Sequence, residues 1–420
     1  MTSPRSCIVV GAGFSGLSLA YWAAKSGARV RLLEEKQIVG GLLSSHRTKG
    51  NLVETAANAF LWSSDFAELE KDLGIRFIGT RPESRRRFIY RASKFRRWPL
   101  GILETLGLVF KLLCNPRGWK PRSLETISAW GQRVLGRTAG RVLLETALQG
   151  IYAGDPSRMS ASLILSRFFT PKTPQKAPSR RRGSYTHPEG MGALAQAMRR
   201  YLETHPGVEI KVGHSFGPDE LSELRRAGNH VFLAVPPLAS SVILEKDFPA
   251  LAASLKSIEM RSVATATTVW KRPEGEKKMP QGFGALFPRG EDVEALGVLR
   301  NDLIFEKRSE QVSETWIYSG EGLKALGSWG DENALRQLIV AERAAISGRD
   351  LAPELFECYF WEKGIPHYTV ALETTLKECD LENFGKRENV DVFGNFTGTL
   401  GLSRIFTAAK TLIRERLIDV

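Results

Sequence analysis

The hydrophobic pattern at the start of the chain predicts a strand, a helix and a second strand. Residues 7–10 form an apolar run that ends in a glycine, and apolar residues then recur at helical spacing over residues 16–26. Gly27 ends the helix, and "ARVRLLEE" follows as the second strand. Because glycines lie at the first turn of this βαβ unit, the pattern indicates an α/β fold with a Rossmann-like domain.

The pattern changes between residues 81 and 183. "PLGILETLGLVFKLLC" and "SLETISAWGQRVLG" have helical spacing with little strand alternation, and proline is frequent in "TPKTPQKAPSRRRG". We interpret this region as a helical insertion that ends in a flexible link. Beyond it, "MGALAQAMRRYLETH" predicts a helix, and the predicted strands are "VEIKV", "HVFLAVPP", "SVATATTVW", "GALFP", "EALGVLRND" and "SETWIYS". The first two of these strands extend the Rossmann part, and the others indicate a second sheet.

Composition narrows the class of protein. A chain of 420 residues with 42% hydrophobic and 25% charged residues is typical of a soluble globular protein with two or three structural parts. Its four cysteines are far apart and form no C-x-x-C, so we expect no disulfide framework, no metal site and a reducing, cytoplasmic compartment. We also expect no signal peptide and no membrane-spanning segment.

The net charge of +13 indicates an anionic partner: nucleic acid, a membrane surface or an acidic substrate. Much of the excess lies between residues 81 and 97, and a second basic run covers residues 180–182. No helix-turn-helix, zinc-finger or RNA-recognition signature accompanies these runs, so we expect no nucleic-acid partner.

The first turn has the spacing of a dinucleotide-binding loop. Gly11 permits a tight turn, Gly13 lets the backbone approach a pyrophosphate, and Gly16 allows close packing of the helix, whose free N–H groups attract phosphate. Glu34 ends the second strand, where a carboxylate can accept hydrogen bonds from a ribose. The doublet Gly40-Gly41 then resembles the FAD signature of the flavin amine oxidase superfamily. In that superfamily, the stretch matching "LVETAANAF" passes near the flavin ring, and an acid comparable to Glu54 often lies there.

A narrower resemblance extends along nearly the whole chain. "GIYAGDPSRMSASL", "HPEGMGALAQAM", "GFGALFPRGEDVEALGVLRNDLIFEKR", "WEKGIPHYTV" and "VFGNFTGTLGLSRIFTAAKTL" resemble, in this order, segments of the oxygen-dependent protoporphyrinogen oxidase family. "YAGDP" and "IPHYT" are the specific matches, since neither follows from the fold alone.

This resemblance implies an FAD enzyme of haem biosynthesis that oxidises protoporphyrinogen IX to protoporphyrin IX. Six hydrogens would leave in three two-electron steps, and oxygen would reoxidise the flavin and yield hydrogen peroxide. Because the flavin does this chemistry, we assign no catalytic side chain and no metal. Coproporphyrinogen III is the alternative substrate, and a non-catalytic flavoprotein or porphyrin carrier is the alternative from another class.

The resemblance also implies a division of the chain and a set of cofactor contacts. Residues 1–80, 184–240 and 371–420 would bind FAD, residues 241–370 would form a mixed-sheet substrate domain, and residues 81–183 the helical insertion. The predicted FAD contacts are Gly11, Gly13, Phe14, Ser15, Gly16, Glu34, Glu35, Gly40, Gly41, Leu42, Val212, Leu400, Gly401 and Leu402.

Two departures from the family pattern concern these contacts and the substrate. Many members have an arginine, thought to pair with a substrate propionate, where this chain has Leu103. Lys94, Arg96 and Arg97 lie just upstream and are the candidate replacements, because a guanidinium suits a carboxylate. "GTLGLSR" also lacks the family's Asp-Cys, so we expect flavin contacts there to come mainly from the backbone of residues 400–402.

The helical insertion has an apolar surface beside a basic flank. Such a helix can lie on an anionic bilayer without crossing it, so we predict peripheral contact with the cytoplasmic membrane. A homodimer is a further expectation. The histidines His187 and His367 are interpreted as structural, as are Tyr152 and Asp155, whereas Trp361, Tyr368 and Phe396 are either pocket or core residues.

Overall fold

The computed structural model describes residues 5–114, 118–169, 183–271 and 279–418. The predicted link "TPKTPQKAPSRRRG" and its basic run at 180–182 lie outside these ranges, apart from Gly183. The strands are β1 (Ser6–Val10), β2 (Arg29–Glu34), β3 (Ser45–Thr48), β4 (Asn51–Glu54), β5 (Phe60–Leu61), β6 (Ile78–Gly79), β7 (Arg87–Arg91), β8 (Lys94–Arg96), β9 (Ser184–Thr186), β10 (Val208–Val212), β11 (His230–Leu233), β12 (Met260–Trp270), β13 (Gly284–Leu286), β14 (Gly297–Arg300), β15 (Val312–Ser319), β16 (Leu355–Pro366) and β17 (Val390–Val392).

The α-helices are α1 (Phe14–Lys25), α2 (Ser64–Leu73), α3 (Ile102–Cys114), α4 (Ile127–Val134), α5 (Arg137–Ala139), α6 (Thr146–Tyr152), α7 (Ala161–Leu165), α8 (Met191–Glu203), α9 (Pro218–Arg226), α10 (Pro237–Leu244), α11 (Pro249–Lys256), α12 (Asn301–Ile304), α13 (Gly320–Ala325), α14 (Glu332–Ser347), α15 (Val370–Cys379), α16 (Leu381–Glu388) and α17 (Leu402–Ile413). Shorter 3-10 turns cover Pro82–Arg85, Ser166–Phe168 and Asn395–Thr397, and π-helical turns cover Gly140–Glu145 and Arg414–Ile418.

A parallel five-stranded sheet forms the Rossmann part, in the order β10-β2-β1-β11-β17. The central strands β1 and β11 are buried on both faces, which explains their continuous apolar runs. Val9 and Phe232 pack on the face that carries α1, α8 and α17, whereas Ile8 and Val231 pack on the opposite face with α9, α10 and α11. Three separate regions of the chain therefore meet in one sheet, and the predicted Rossmann-like domain is confirmed.

The second sheet has seven strands in the order β16-β12-β15-β14-β13-β7-β8. It is mixed, as predicted, because β13 and β7 pair in parallel and the other pairs are antiparallel. α14 packs against it through a third hydrophobic cluster, separate from those on the two faces of the parallel sheet, that includes Trp270, Trp316 and Leu335.

The structure corrects the prediction of a helical region from residue 81 onward. β7 and β8 lie within it and extend the second sheet. Phe88 and Tyr90 alternate at the two-residue period of a strand and pack, with Phe95, into the third cluster. The many arginines between these aromatic residues hid the alternation. The helices begin only at α3, whose Leu108 packs with Leu100 in a small separate cluster.

Candidate cofactor and substrate site

Gly11 and Gly16 of the first turn have no room for a side chain. Gly11 has φ +95°, and a Cβ there would lie 2.7 Å from the carbonyl oxygen of Ala234. A Cβ at Gly16 would lie 1.7 Å from the carbonyl oxygen of Gly11, because α1 begins directly against the loop. These two glycines therefore set the close approach of helix and turn that a phosphate-binding loop needs.

The doublet Gly40-Gly41 crosses this loop. The Gly40 N–H donates to Ala12 O at 2.8 Å, and Gly13 and Gly40 form an isolated parallel bridge. A Cβ on Gly41, at φ +60°, would lie 3.1 Å from the Cα of Gly13. Two stretches without side chains thus meet above the N-terminus of α1, where Phe14 and Ser15 begin the helix and no described side chain caps it.

Glu34 is oriented by the backbone of the same loop. Its Oε2 accepts from Ala12 N at 2.6 Å, and its Oε1 accepts from Lys36 N at 3.0 Å. A carboxylate has about four acceptor positions, so both oxygens retain capacity for a ribose. Val212 pairs with Glu34 across β10 and β2, whereas Glu35 is exposed.

The third predicted cofactor segment precedes α17. Gly401, at φ +97°, is its N-cap residue. Leu402 packs against the hydrophobic cluster on the α1 face of the parallel sheet, and Leu400 packs against the cluster on the opposite face, so this turn lies between the two cores. The fit to FAD is good: a side-chain-free cradle for a diphosphate, an acid at the end of β2 and two uncapped helix N-termini are all present. The individual contacts, including the exposed Leu42, stay predictions.

Glu54 is enclosed in protein. It is 4% exposed, its Oε1 lies 2.6 Å from Arg308 Nη1, and both of its oxygens accept from Met191 N, at 3.0 and 3.1 Å. Burial raises the pKa of Glu54 and lowers that of Arg308, and the ion pair offsets part of both shifts. The acid therefore joins β4 to the start of α8 and to the segment after α12. Sequence reasoning did not find Arg308.

Thr55, directly after β4, connects the predicted flavin-side stretch to the second sheet. Its carbonyl oxygen accepts from Thr265 Oγ1 on β12 and from Trp361 Nε1 on β16, each at 3.0 Å. The Trp361 ring also stacks with Tyr359, with ring centroids 6.2 Å apart. Trp361 is thus a connecting residue beside this stretch. No local signal reveals the contact, because about 300 residues separate Thr55 from Trp361.

The segments "YAGDP" and "IPHYT" meet in the structure. The rings of Tyr152 and Tyr368 contact edge to face, with centroids 5.2 Å apart. His367 Nε2 accepts from Asp155 N at 3.1 Å, and its Nδ1 lies 3.0 Å from Glu259 Oε1. A Cβ on Gly154 would lie 2.9 Å from the His367 ring, so a glycine is needed at this point.

This arrangement decides several predictions about single residues. His367 is 1% exposed and accepts a backbone N–H, and burial lowers its pKa, so it is structural as predicted. His187 similarly accepts from Glu189 N through Nδ1.

Asp155 orders the turn of "YAGDP" by accepting from Ser157 N at 3.1 Å. Tyr368 is buried and its hydroxyl donates to Asn395 O, which joins "IPHYT" to the C-terminal cofactor segment.

The predicted propionate partners lie at the opposite edge of the second sheet from Trp361. Lys94 and Arg96 are exposed on the edge strand β8, and Arg97 follows it and is also exposed. The side chain of Leu103 is 83% exposed on α3. The structure does not bring these residues to the Thr55 connection, since five strand spacings, roughly 24 Å, separate β12 from β8. Across the described ranges, no group of three His, Cys, Asp or Glu could hold a metal ion.

Comparison with known proteins agrees with the Rossmann-like fold and its dinucleotide-binding loop. Residues 9–73 match the family model of the NAD(P)-binding Rossmann-like domain. Protoporphyrinogen oxidase from Bos taurus is 25% identical over 434 aligned positions, which cover 87% of this chain and 88% of the relative. The chloroplastic protoporphyrinogen oxidase of Nicotiana tabacum is 23% identical, with coverage of 97% and 85%.

The chain is similar to the protoporphyrinogen oxidases. A solved structure from Exiguobacterium sp. 255-15, assigned as a protoporphyrinogen oxidase, has the same fold with a TM-score of 0.76, 18% identity and full coverage of both chains. The predicted resemblance is therefore confirmed, as are the predictions of an FAD-dependent oxidoreductase and of FAD as its cofactor.

Proposed function

We propose that this protein oxidises protoporphyrinogen IX to protoporphyrin IX in haem biosynthesis, with oxygen as the electron acceptor. The observation that carries the proposal is the junction of Tyr152, Tyr368 and Asn395. It brings together the two segments specific to the resemblance and the C-terminal cofactor segment. The named relatives, each aligned over more than four-fifths of this chain, support the same substrate.

In this proposal, the residues of the chain bind and orient the cofactor and the substrate, and they exclude water from the site. The Gly11–Gly16 loop and the Gly40-Gly41 doublet would hold the diphosphate of FAD, Glu34 its ribose, and residues 400–402 the flavin end. When bound, FAD accepts a hydride in each of three two-electron steps, and oxygen reoxidises it with release of hydrogen peroxide. The buried tyrosines Tyr152 and Tyr368 keep water from the junction, and Trp361 holds the loop after β4 in place through its hydrogen bond to Thr55 O.

A direct assay separates the candidate functions. The purified protein is first examined for the absorption bands of oxidised flavin. Protoporphyrinogen IX or coproporphyrinogen III is then added in air, and porphyrin fluorescence and peroxide are followed. We expect three molecules of peroxide per protoporphyrin. Faster turnover of coproporphyrinogen III would indicate the alternative substrate, flavin without turnover of either compound would indicate a non-catalytic flavoprotein or porphyrin carrier, and a protein that binds no flavin would contradict the proposal.

We further propose that α3 rests on the cytoplasmic face of an anionic membrane. Apolar side chains exposed along it are Ile102, Leu103, Leu106, Val109, Phe110 and Leu113, with exposed fractions of 46% to 83%. Lys94, Arg96 and Arg97 are exposed just before it, and such a combination of apolar and basic surface suits an interfacial helix. No helix within the described ranges is long and apolar enough to cross a membrane.

Vesicle flotation tests this surface. We expect the protein to float with phosphatidylglycerol vesicles and much less with phosphatidylcholine vesicles, and Phe110→Glu with Leu113→Glu to abolish flotation. Leu326→Glu, at an exposed leucine outside the insertion, is the matched control. If the double variant still floats, the membrane proposal is wrong. If α3 instead covers a second copy, light scattering will show a homodimer that the double variant converts to a monomer.

A further inference from the structure

His367 connects the two segments that are specific to the resemblance. Its imidazole is completely buried, and Nε2 accepts from Asp155 N in the "YAGDP" turn at 3.1 Å. Tyr152 ends α6 only three residues before Asp155. Tyr368, directly after His367, provides the other ring of the junction. The relative position of the two rings is therefore set in part by the hydrogen bond that the imidazole accepts.

The two contacts of the His367 ring determine its protonation state. A backbone N–H donates to Nε2, so this nitrogen carries no proton. Nδ1 lies 3.0 Å from Glu259 Oε1, and because a carboxylate only accepts, Nδ1 carries the single proton of a neutral ring. A second proton, on Nε2, would point at the Asp155 N–H, and two donors cannot bond to each other. Protonation of His367 would thus break the contact and leave the Asp155 N–H without its acceptor.

The charges around His367 balance without a charge on the ring. They come from the segment after α6, the start of β12, α13 and the loop after β13. Three carboxylates and three guanidinium groups are paired there, namely Asp155, Glu259, Glu321, Arg158, Arg261 and Arg289. An imidazolium would add an excess positive charge at a buried position. Burial lowers the pKa of His367, and Arg261 and Arg158 lower it further, whereas Glu259 acts in the opposite direction.

We propose that neutral His367, oriented by Glu259, is a positioning residue that keeps the rings of Tyr152 and Tyr368 in place for substrate binding. The inference rests on the proposed function, in which the porphyrinogen binds at this junction. His367 takes no part in hydride transfer. In an opened junction the ring reaches water and takes up a proton near its ordinary pKa of 6.5, whereas the closed junction resists protonation. The closed form is therefore favoured above pH 6.5 and is progressively lost as the pH falls below this value.

The pH profile of turnover tests this role in the reaction. Initial rates of protoporphyrinogen oxidation by the FAD-loaded full-length protein are measured from pH 5 to 8. We expect kcat/KM to fall below pH 6.5, approaching about tenfold per pH unit, and kcat to change much less, because bound substrate keeps the junction closed. His367→Gln should remove this fall, since its amide oxygen can accept from Asp155 N and does not titrate. His367→Asn has a shorter side chain that cannot reach Asp155 N, so its KM should be raised about fivefold at every pH.

Hydrogen exchange tests the same contact without the reaction. Deuterium uptake by the peptides that contain Tyr152 and Asp155 is compared between the unmodified protein and His367→Gln at pH 5.5 and at pH 7.5. Comparison at the same pH cancels the pH dependence of the exchange chemistry. We expect uptake at pH 5.5 to be faster in the unmodified protein, by up to about tenfold, and uptake at pH 7.5 to be equal. Glu259→Gln removes the charge that favours the imidazolium, so it should move the onset of both acid effects to lower pH.

A control at another histidine and the pattern of outcomes separate this role from a general structural one. His205→Gln, at a histidine after α8 that contacts Tyr201 O, should keep both acid effects. An acid fall that persists in His367→Gln, or equal uptake of the two proteins at pH 5.5, would overturn the proposal. Identical behaviour of His367→Asn and His367→Gln would also overturn it, because the Asp155 contact would then have no effect. If porphyrinogen is oxidised without an acid fall, only the positioning role is wrong. If uptake responds as expected but no porphyrinogen is oxidised, only the proposed function is contradicted.

Discussion

Trp361 donates a hydrogen bond of 3.0 Å from Nε1 to the carbonyl oxygen of Thr55 and so connects the second sheet to the loop after β4. This loop directly follows the buried Glu54 and belongs to the first predicted cofactor-binding part of the chain. The contact fixes the position of one structural part relative to the other, so its loss should affect both.

Trp361→Phe should lower the free energy of unfolding by about 1 kcal/mol, because the ring is largely kept and one partly buried hydrogen bond is lost. Chemical denaturation measures this change, and the circular dichroism of the bound flavin should change with it. Trp98→Phe is the matched control, since Trp98 donates to Thr105 at an exposed position. Equal effects of the two substitutions would show that the Thr55 connection has no special importance.

Gly16→Ala should abolish FAD binding, because its Cβ would overlap the carbonyl oxygen of Gly11 and push α1 away from the loop. We expect a loss of about 2–3 kcal/mol in the free energy of unfolding as well. The ratio of flavin to protein absorbance measures cofactor content. In Gly107→Ala the added methyl group meets open space on α3, so this control should keep its flavin and gain up to about 1 kcal/mol. A Gly16→Ala protein with full flavin content would contradict the prediction.

The buried pair of Glu54 and Arg308 should be strongly coupled. Arg308→Leu leaves an unpaired buried carboxylate, and we expect a loss of about 3–5 kcal/mol. Combining it with Glu54→Met should recover part of that loss, so a double-mutant cycle measures the coupling. The exposed pair of Arg31 and Glu209 is the control, and its cycle should give less than about 1 kcal/mol. Additive effects at Glu54 and Arg308 would be evidence against the predicted coupling.

Glu342 should make the stability of the protein depend on pH. Its carboxyl group is buried against Tyr318, whose hydroxyl donates to it at 2.6 Å, and burial raises its pKa from 4.5 to about 7. The folded state therefore holds a proton that the unfolded state releases between these pH values. This contribution is fully present below pH 4.5 and is lost as the pH rises to 7, by about 3 kcal/mol in total.

Glu342→Gln should remove this slope, because an amide can keep a hydrogen bond to Tyr318 and does not titrate. Denaturation at pH 5, 6 and 7 measures the difference from the unmodified protein. Glu332→Gln, at an exposed residue of the same helix, should leave the slope unchanged. If Glu342→Gln leaves it unchanged too, the pKa of Glu342 lies near its ordinary value.

Local sequence determined the elements whose signals are short in range. The apolar run at residues 7–10, the glycines of the first turn and Glu34 identify a βαβ unit and a dinucleotide loop, because helix period, turn geometry and phosphate approach depend on neighbouring residues. The same signals located β10, β11, β12 and β15. The basic stretch from Arg87 to Arg96 misled the prediction, since its aromatic alternation was masked by charge.

Only the tertiary structure decided which distant residues meet. It enclosed Glu54 with Arg308, connected Thr55 to Trp361, joined Tyr152 to Tyr368, and left Lys94 and Leu103 exposed. These contacts arise from the order of strands and the packing of helices over separations of 200 residues or more, and no local periodicity encodes them.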